Sequence, residues 1–133
     1  MADEQHWCGA KLVNVTPDKT LYPDIAEGVG ISGMIDCQGK VTIEKDVFSG
    51  HDIMILTGSH NYLAFGYERR RQGVIKPVLI KEGAWLCTRC IILQGVTVGR
   101  HAVIGAGSIV TKDVPDYEFW AGNPAKLIKV IPH

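Results

Sequence analysis

The sequence predicts an all-β protein of stacked, triangular coils. Three observations carry that prediction: a strict six-residue hydrophobic rhythm, polar residues where an ordinary strand would again turn inward, and one interruption of the rhythm immediately after His60. Every sixth residue from Ile25 reads Ile25, Ile31, Cys37, Ile43, Ser49, Ile55. The count then resumes in a new register as Val74, Ile80, Leu86, Ile92, Val98, Ile104, Val110. Twelve of these 13 positions are apolar, where a chain that is 46% hydrophobic would place about six. Four residues after each comes a second series: Val29, Ile35, Val41, Val47, Ile53, Ser59, then Val78, Ala84, Cys90, Val96, Ala102, Ser108, Val114. All of these are small or β-branched.

A helix turning about 100° per residue scatters a six-residue period over three directions and makes no stripe. A plain strand would also point inward the residue two after each start. Those positions read Glu27, Gly33, Gly39, Lys45, His51, Thr57, Lys76, Glu82, Thr88, Gln94, Arg100, Ala106 and Lys112, and they are mostly polar or glycine. The chain therefore alternates for about three residues, bends outward through a polar corner and starts again. Three such faces close a coil, and stacked coils form parallel sheets about 4.8 Å apart with both apolar series inside.

The chain then reads as one domain in order. Residues 1–24 are an N-terminal segment, 25–42 and 43–60 are two coils, and 61–73 protrude as a loop. Residues 74–91 and 92–109 are two further coils, 110–115 begin a fifth, and 116–133 form a tail that caps the stack. The loop carries Tyr62, Phe65, Tyr67 and the run Glu68-Arg69-Arg70-Arg71, and loops on rigid stacks are where function concentrates. The three arginines read as a solvated tip. In the tail, Gly122-Asn123-Pro124 reads as a turn.

Bulk properties exclude several classes. Lys+Arg and Asp+Glu are equal at 14 each, so no basic surface marks a nucleic-acid or membrane-surface binder. No apolar run approaches the roughly 20 residues of a membrane span, and MADEQHWCGA lacks a signal-peptide pattern, so a cytoplasmic location is expected. Cys87 and Cys90 form CTRC, but Cys8 and Cys37 supply no second close pair, so four ordinary thiols are expected rather than a zinc or redox site.

With the repeat in view, the ending "VTVGRHAVIGAGSIVTKDVPDYEFWAGNPAKLIKVI" and the histidine of "LTGSH" before the loop resemble the left-handed β-helix, hexapeptide-repeat acyltransferases. The nearest type is the maltose and galactoside class of sugar O-acetyltransferases. The likeness covers about residues 25–131, and the left hand of the coil comes from it alone, against the usual right-handed rule. It implies an acetyl-CoA-dependent enzyme with no metal, acting as a homotrimer on a small-molecule or glycan acceptor. His60 is implied as general base: a neutral imidazole can take a hydroxyl proton during attack on a thioester. His6, His51, His101 and His133 read as surface histidines.

The same resemblance places Trp85 of "GAWLC" beside acceptor and pantetheine. It gives Ala106, Gly107 and Ser108 backbone contacts to the pantetheine arm. Thr111 and Lys112 fall near the nucleotide end, and Lys126 and Lys129 face the phosphates. Ser32 stands where the class carries an acceptor-binding asparagine, and the class's N-terminal helical segment is replaced here by residues 1–24. These departures leave the acceptor open. A sugar N-acetyltransferase and a noncatalytic β-helix binding or scaffold protein are the alternatives. A metal-dependent hydratase on the same fold would need three clustered histidines, a spacing His51, His60 and His101 do not have.

Overall fold

A computed structural model describes residues 9–133; His6, Cys8 and the expectation for the first eight residues lie outside the described part. The described chain forms three larger sheets and one separate two-stranded hairpin. Sheet I runs β1 (Lys11–Val13), β3 (Gly33–Asp36), β6 (Ile53–Ile55), β11 (Ile91–Ile92) and β14 (Ile109–Val110), all parallel. Sheet II runs β2 (Asp24–Ile25), β4 (Val41–Ile43), β9 (Val78–Ile80) and β12 (Thr97–Val98), also parallel. Sheet III runs β5 (Phe48–Ser49), β10 (Trp85–Leu86), β13 (Val103–Ile104) and β15 (Glu118–Gly122), with β16 (Ala125–Val130) antiparallel at its end.

The chain visits sheets II, III and I in rotation, so each strand pairs with its counterpart one turn later. Ile43 pairs with Ile25, Val98 with Ile80, Ile104 with Leu86 and Val110 with Ile92, each 18 residues on. Both inward series fill the interior. Of their 26 members only Ile25, Ser49, Val74 and Ser59 are not buried, and Ile31, Ile43, Ile55, Ile80, Leu86 and Ile104 are fully enclosed. Each such side chain contributes about 1.5–3 kcal/mol of transfer free energy.

Three expectations need correction. Ile35 pairs with Ile55, 20 residues on, and not with Ile53. Gly33 permits this: it sits at φ +146° against Ile53, where a Cβ would overlap the Ile53 carbonyl, so the chain cuts a corner that only glycine can cut. Second, Ile80 pairs with Ile43, 37 residues on, which is one 18-residue turn plus 19 further residues. The excursion is therefore larger than residues 61–73, and the third coil re-enters at Val78. Val74 lies instead in β8 (Gly73–Ile75), which pairs antiparallel with β7 (Gly58–His60). The two arms support a short helix, Gly66–Arg71. Third, Thr57, read as an outward corner residue, is fully buried.

In the tail, β15 and β16 form a hairpin around Asn123-Pro124, a cis peptide bond, so the turn read there is present. The tail extends sheet III, and Trp120 packs against the core. No helix among the described residues is long and apolar enough to cross a membrane.

Candidate active site

The rhythm breaks where β6 leaves sheet I, and the hairpin rises from that edge. Its arms are tied at the outer end by Asn61, whose backbone N–H donates to the Gln72 carbonyl at 3.0 Å and whose side-chain amide donates to Gln72 Oε1 at 2.8 Å. At the root, the Lys76 N–H donates to the Thr57 carbonyl at 2.9 Å. His60 is the last residue of β7, exposed, with its backbone opposite Gly73. Its ring makes no hydrogen bond to any described residue, which leaves both nitrogens available to a ligand.

Beside it lies a cavity of about 180 Å³ lined by Asp36, Gln38, Gly58, Ser59, His60, Gly73 and Ile75. Asp36 is the residue the sequence reading missed. It stands on β3 between the inward Ile35 and Cys37, yet it is only 8% exposed. Its Oδ1 accepts from Asn14 Nδ2 at 2.7 Å and from the Gln38 N–H at 3.2 Å. Its Oδ2 accepts from the Thr57 N–H at 3.2 Å and Thr57 Oγ1 at 3.0 Å. Burial raises the carboxyl's pKa, but the bonds from Asn14, Gln38 and Thr57 together outweigh it, so the pKa is held below the usual carboxylate value.

A lowered folded pKa stabilises the protein fully above the unfolded value of about 3.9, and that contribution is lost as pH falls through the lower folded value. Urea midpoints taken from about pH 5 down to about pH 2 should therefore show the advantage of the native chain over Asp36→Asn shrinking with acidity. A gap that stays constant across that range would contradict the ionised, bonded state of Asp36.

The other site candidates lie elsewhere on the prism. Ser32 is half-buried at the turn before β3; its N–H donates to Ser49 Oγ at 3.0 Å, and it does not line the His60 cavity. Trp85 is 43% exposed on sheet III, stacked on Phe48 with ring centroids 5.7 Å apart and planes 13° apart. Trp85 pairs in register with both Phe48 and Val103, and Val103 pairs with Phe119.

Ala106 and Gly107 are exposed at the corner between sheets III and I, where the Gly107 N–H already donates to the Thr88 carbonyl at 2.9 Å. Ser108 is buried, its N–H spent on Gly105 and its Oγ accepting from the Gly122 N–H at 3.0 Å. Thr111 and Lys112 are exposed at the edge between sheets I and II, which is the hairpin's own edge. Lys126 and Lys129 are exposed on β16, opposite Ala121 and Phe119. One chain thus gathers His60 with Asp36 and Gln38, and it carries Trp85, Ala106 and the β16 lysines on other faces.

Among the described cysteines, Cys37 donates through Sγ to the Ile35 carbonyl at 3.6 Å, and Cys90 is fully buried. Burial, reinforced by Cys87, pushes the Cys90 thiol up to about 12, which disfavours a thiolate there. Among the described residues no three His, Cys, Asp or Glu side chains converge to hold a metal ion.

Residues 77–112 match the family described as bacterial transferase hexapeptide (six repeats). The Saccharomyces cerevisiae protein named "Putative acetyltransferase YJL218W" is 38% identical over 94 residues, covering 69% of this chain and 46% of that protein. The chain spans about half the length of the curated relatives it matches. Among solved structures, a maltose O-acetyltransferase from Clostridium difficile 630 superposes with a TM-score of 0.77 at 27% identity, covering 95% of this chain and 71% of that one. A galactoside acetyltransferase in complex with coenzyme A gives 0.68 at 26% identity, covering 94% and 64%.

Proposed function

We propose that the chain belongs to the hexapeptide-repeat transferases, whose family model residues 77–112 match, and that it is an acetyl-CoA-dependent acetyltransferase whose acceptor is a hydroxyl of a sugar or sugar-containing molecule. The observation that carries the reading is His60: an exposed imidazole with no hydrogen-bond partner among the described residues, beside a polar cavity, where the hairpin leaves the repeat. The names of the two superposed enzymes, one acting on maltose and one on galactosides, support a sugar acceptor. The three-sheeted stack is read as the left-handed parallel β-helix of those enzymes.

Acetyl-CoA supplies an activated thioester. The imidazole of His60 takes the acceptor's hydroxyl proton as the oxygen attacks the thioester carbon, then returns it to the departing sulfur. No residue is acylated, so atoms balance in one transfer. Trp85, with the exposed corner Ala106–Gly107, offers a flat, mostly apolar bed for the pantetheine arm, and Ser108 holds that corner from inside. Lys112, Lys126 and Lys129, with Thr111, supply charge and hydrogen bonding for the phosphates.

Because His60 and Trp85 sit on different faces of one chain, the complete site is read as formed between subunits of a homotrimer. The exposed ladder of Phe48 and Trp85 on sheet III supplies apolar surface for that packing. Ser32 is read as part of the acceptor side.

Two measurements test the proposal. Titration calorimetry with acetyl-CoA should show micromolar binding, followed by thiol release when a panel of pyranosides is added; no binding heat removes the donor and the reading with it. Light scattering at micromolar concentration should give three times the chain mass, and a monomer would rule out a site shared between subunits.

A further inference from the structure

We infer that Asp36 is a positioning residue for His60, clamping the root of the hairpin that carries it. The inference rests on the reading of His60 as the base. The distinguishing observation is stoichiometric. A carboxylate offers about four lone-pair directions, and four donors approach them here, two on each oxygen: Asn14 Nδ2 and the Gln38 N–H on Oδ1, the Thr57 N–H and hydroxyl on Oδ2, the hydroxyl also lying 3.1 Å from the Asp36 carbonyl. Asp36 borders the cavity, yet both of its carboxylate oxygens are already engaged by protein donors. Its role is therefore to hold protein.

What it holds is Thr57, the last residue before β7. Every polar group of Thr57 is engaged at this neck. Its N–H and hydroxyl go to Asp36, its hydroxyl oxygen accepts from the Gly39 N–H at 2.8 Å, and its carbonyl accepts from Lys76 on the returning strand. From that fixed point β7 runs three residues to His60. A buried, fully bonded network of this kind specifies one geometry rather than merely adding stability. Gly58 is pressed into the same corner: a Cβ there would come within 2.7 Å of Gln38 Oε1. Small displacements of a catalytic group cost rate steeply, on the order of a hundredfold for about 1 Å.

The test uses Asp36→Asn, which keeps shape but turns one acceptor into a donor facing the Thr57 N–H. Thr57→Val, which removes only the hydroxyl, is the second variant, in case the first fails to fold. Three readouts are taken on folded protein: amide exchange at Gly58–His60 and Gly73–Ile75, the acetyl-CoA dissociation constant, and kcat against KM. We expect exchange in both hairpin arms to rise at least tenfold while β11 and β14 stay protected. The dissociation constant should be unchanged, kcat should fall about tenfold or more, and Thr57→Ser should restore both exchange and rate relative to Thr57→Val.

Unchanged hairpin exchange in folded Asp36→Asn or Thr57→Val overturns the inference, as does a loss of protection spread evenly over the stack. If the native protein shows no acetyl transfer, the functional reading fails. The exchange pattern then decides by itself whether Asp36 clamps the hairpin.

Discussion

His60→Ala should reduce acetyl transfer by about 10²–10⁴-fold while leaving acetyl-CoA binding and the folded state intact. The magnitude is that of a lost general base. The selectivity follows from position: the ring is exposed at the end of β7 and bonds to no described residue, so truncation opens no cavity and orphans no partner. Coenzyme recognition is assigned chiefly to Trp85, the Ala106 corner and the β16 lysines, which lie on other faces of the chain. The measurement is kcat by thiol release beside a calorimetric dissociation constant. Turnover within threefold of native would remove His60 from the chemistry, and a lost dissociation constant would make it a binding residue.

Leu86→Ala should cost about 2–5 kcal/mol of unfolding free energy. Leu86 is fully enclosed, paired with Ser49 on one side and Ile104 on the other, in the third of the stacked turns. In a stack, each turn is stabilised by its two neighbours, so a hole there weakens two interfaces at once. Collapse around the hole is restricted because the flanking backbones are held by the ladder. Urea unfolding at a fixed chain concentration measures it, since association would otherwise shift the midpoint. A cost below about 1 kcal/mol would mean that the column of Leu86, Ile104 and their neighbours is not closely packed.

The interior was legible because two constraints act on every turn alike: six-residue spacing sets which residues face inward, and burial demands that they be apolar. Where a third constraint acts once, the sequence misleads. Val74 sits six residues before Ile80 and so continues the count backward into the hairpin, although β8 pairs with β7 and not with the stack. Thr57 looks like a solvated corner, and Asp36 looks like an ordinary acid between two inward residues; each helps to satisfy the other in burial. That pairing spans 21 residues and has no periodic signature. His60 is singled out by its context before the loop, and the structure shows it exposed at the rim of the cavity. Asp36 and Gln38, its neighbours in the cavity, come from the previous turn and could be found only once the 20-residue register between Ile35 and Ile55 was known.

The 19-residue excess between Ile43 and Ile80 has an evolutionary reading. The chain leaves the prism and returns to it at a single corner, so the interior does not register how far it travelled. Doubling such a detour costs only about 0.6 kcal/mol in closure entropy. Descendants could exchange the whole outgrowth above Thr57 for a longer, shorter or differently charged one, and so change which molecule meets His60, while inheriting the stack unaltered.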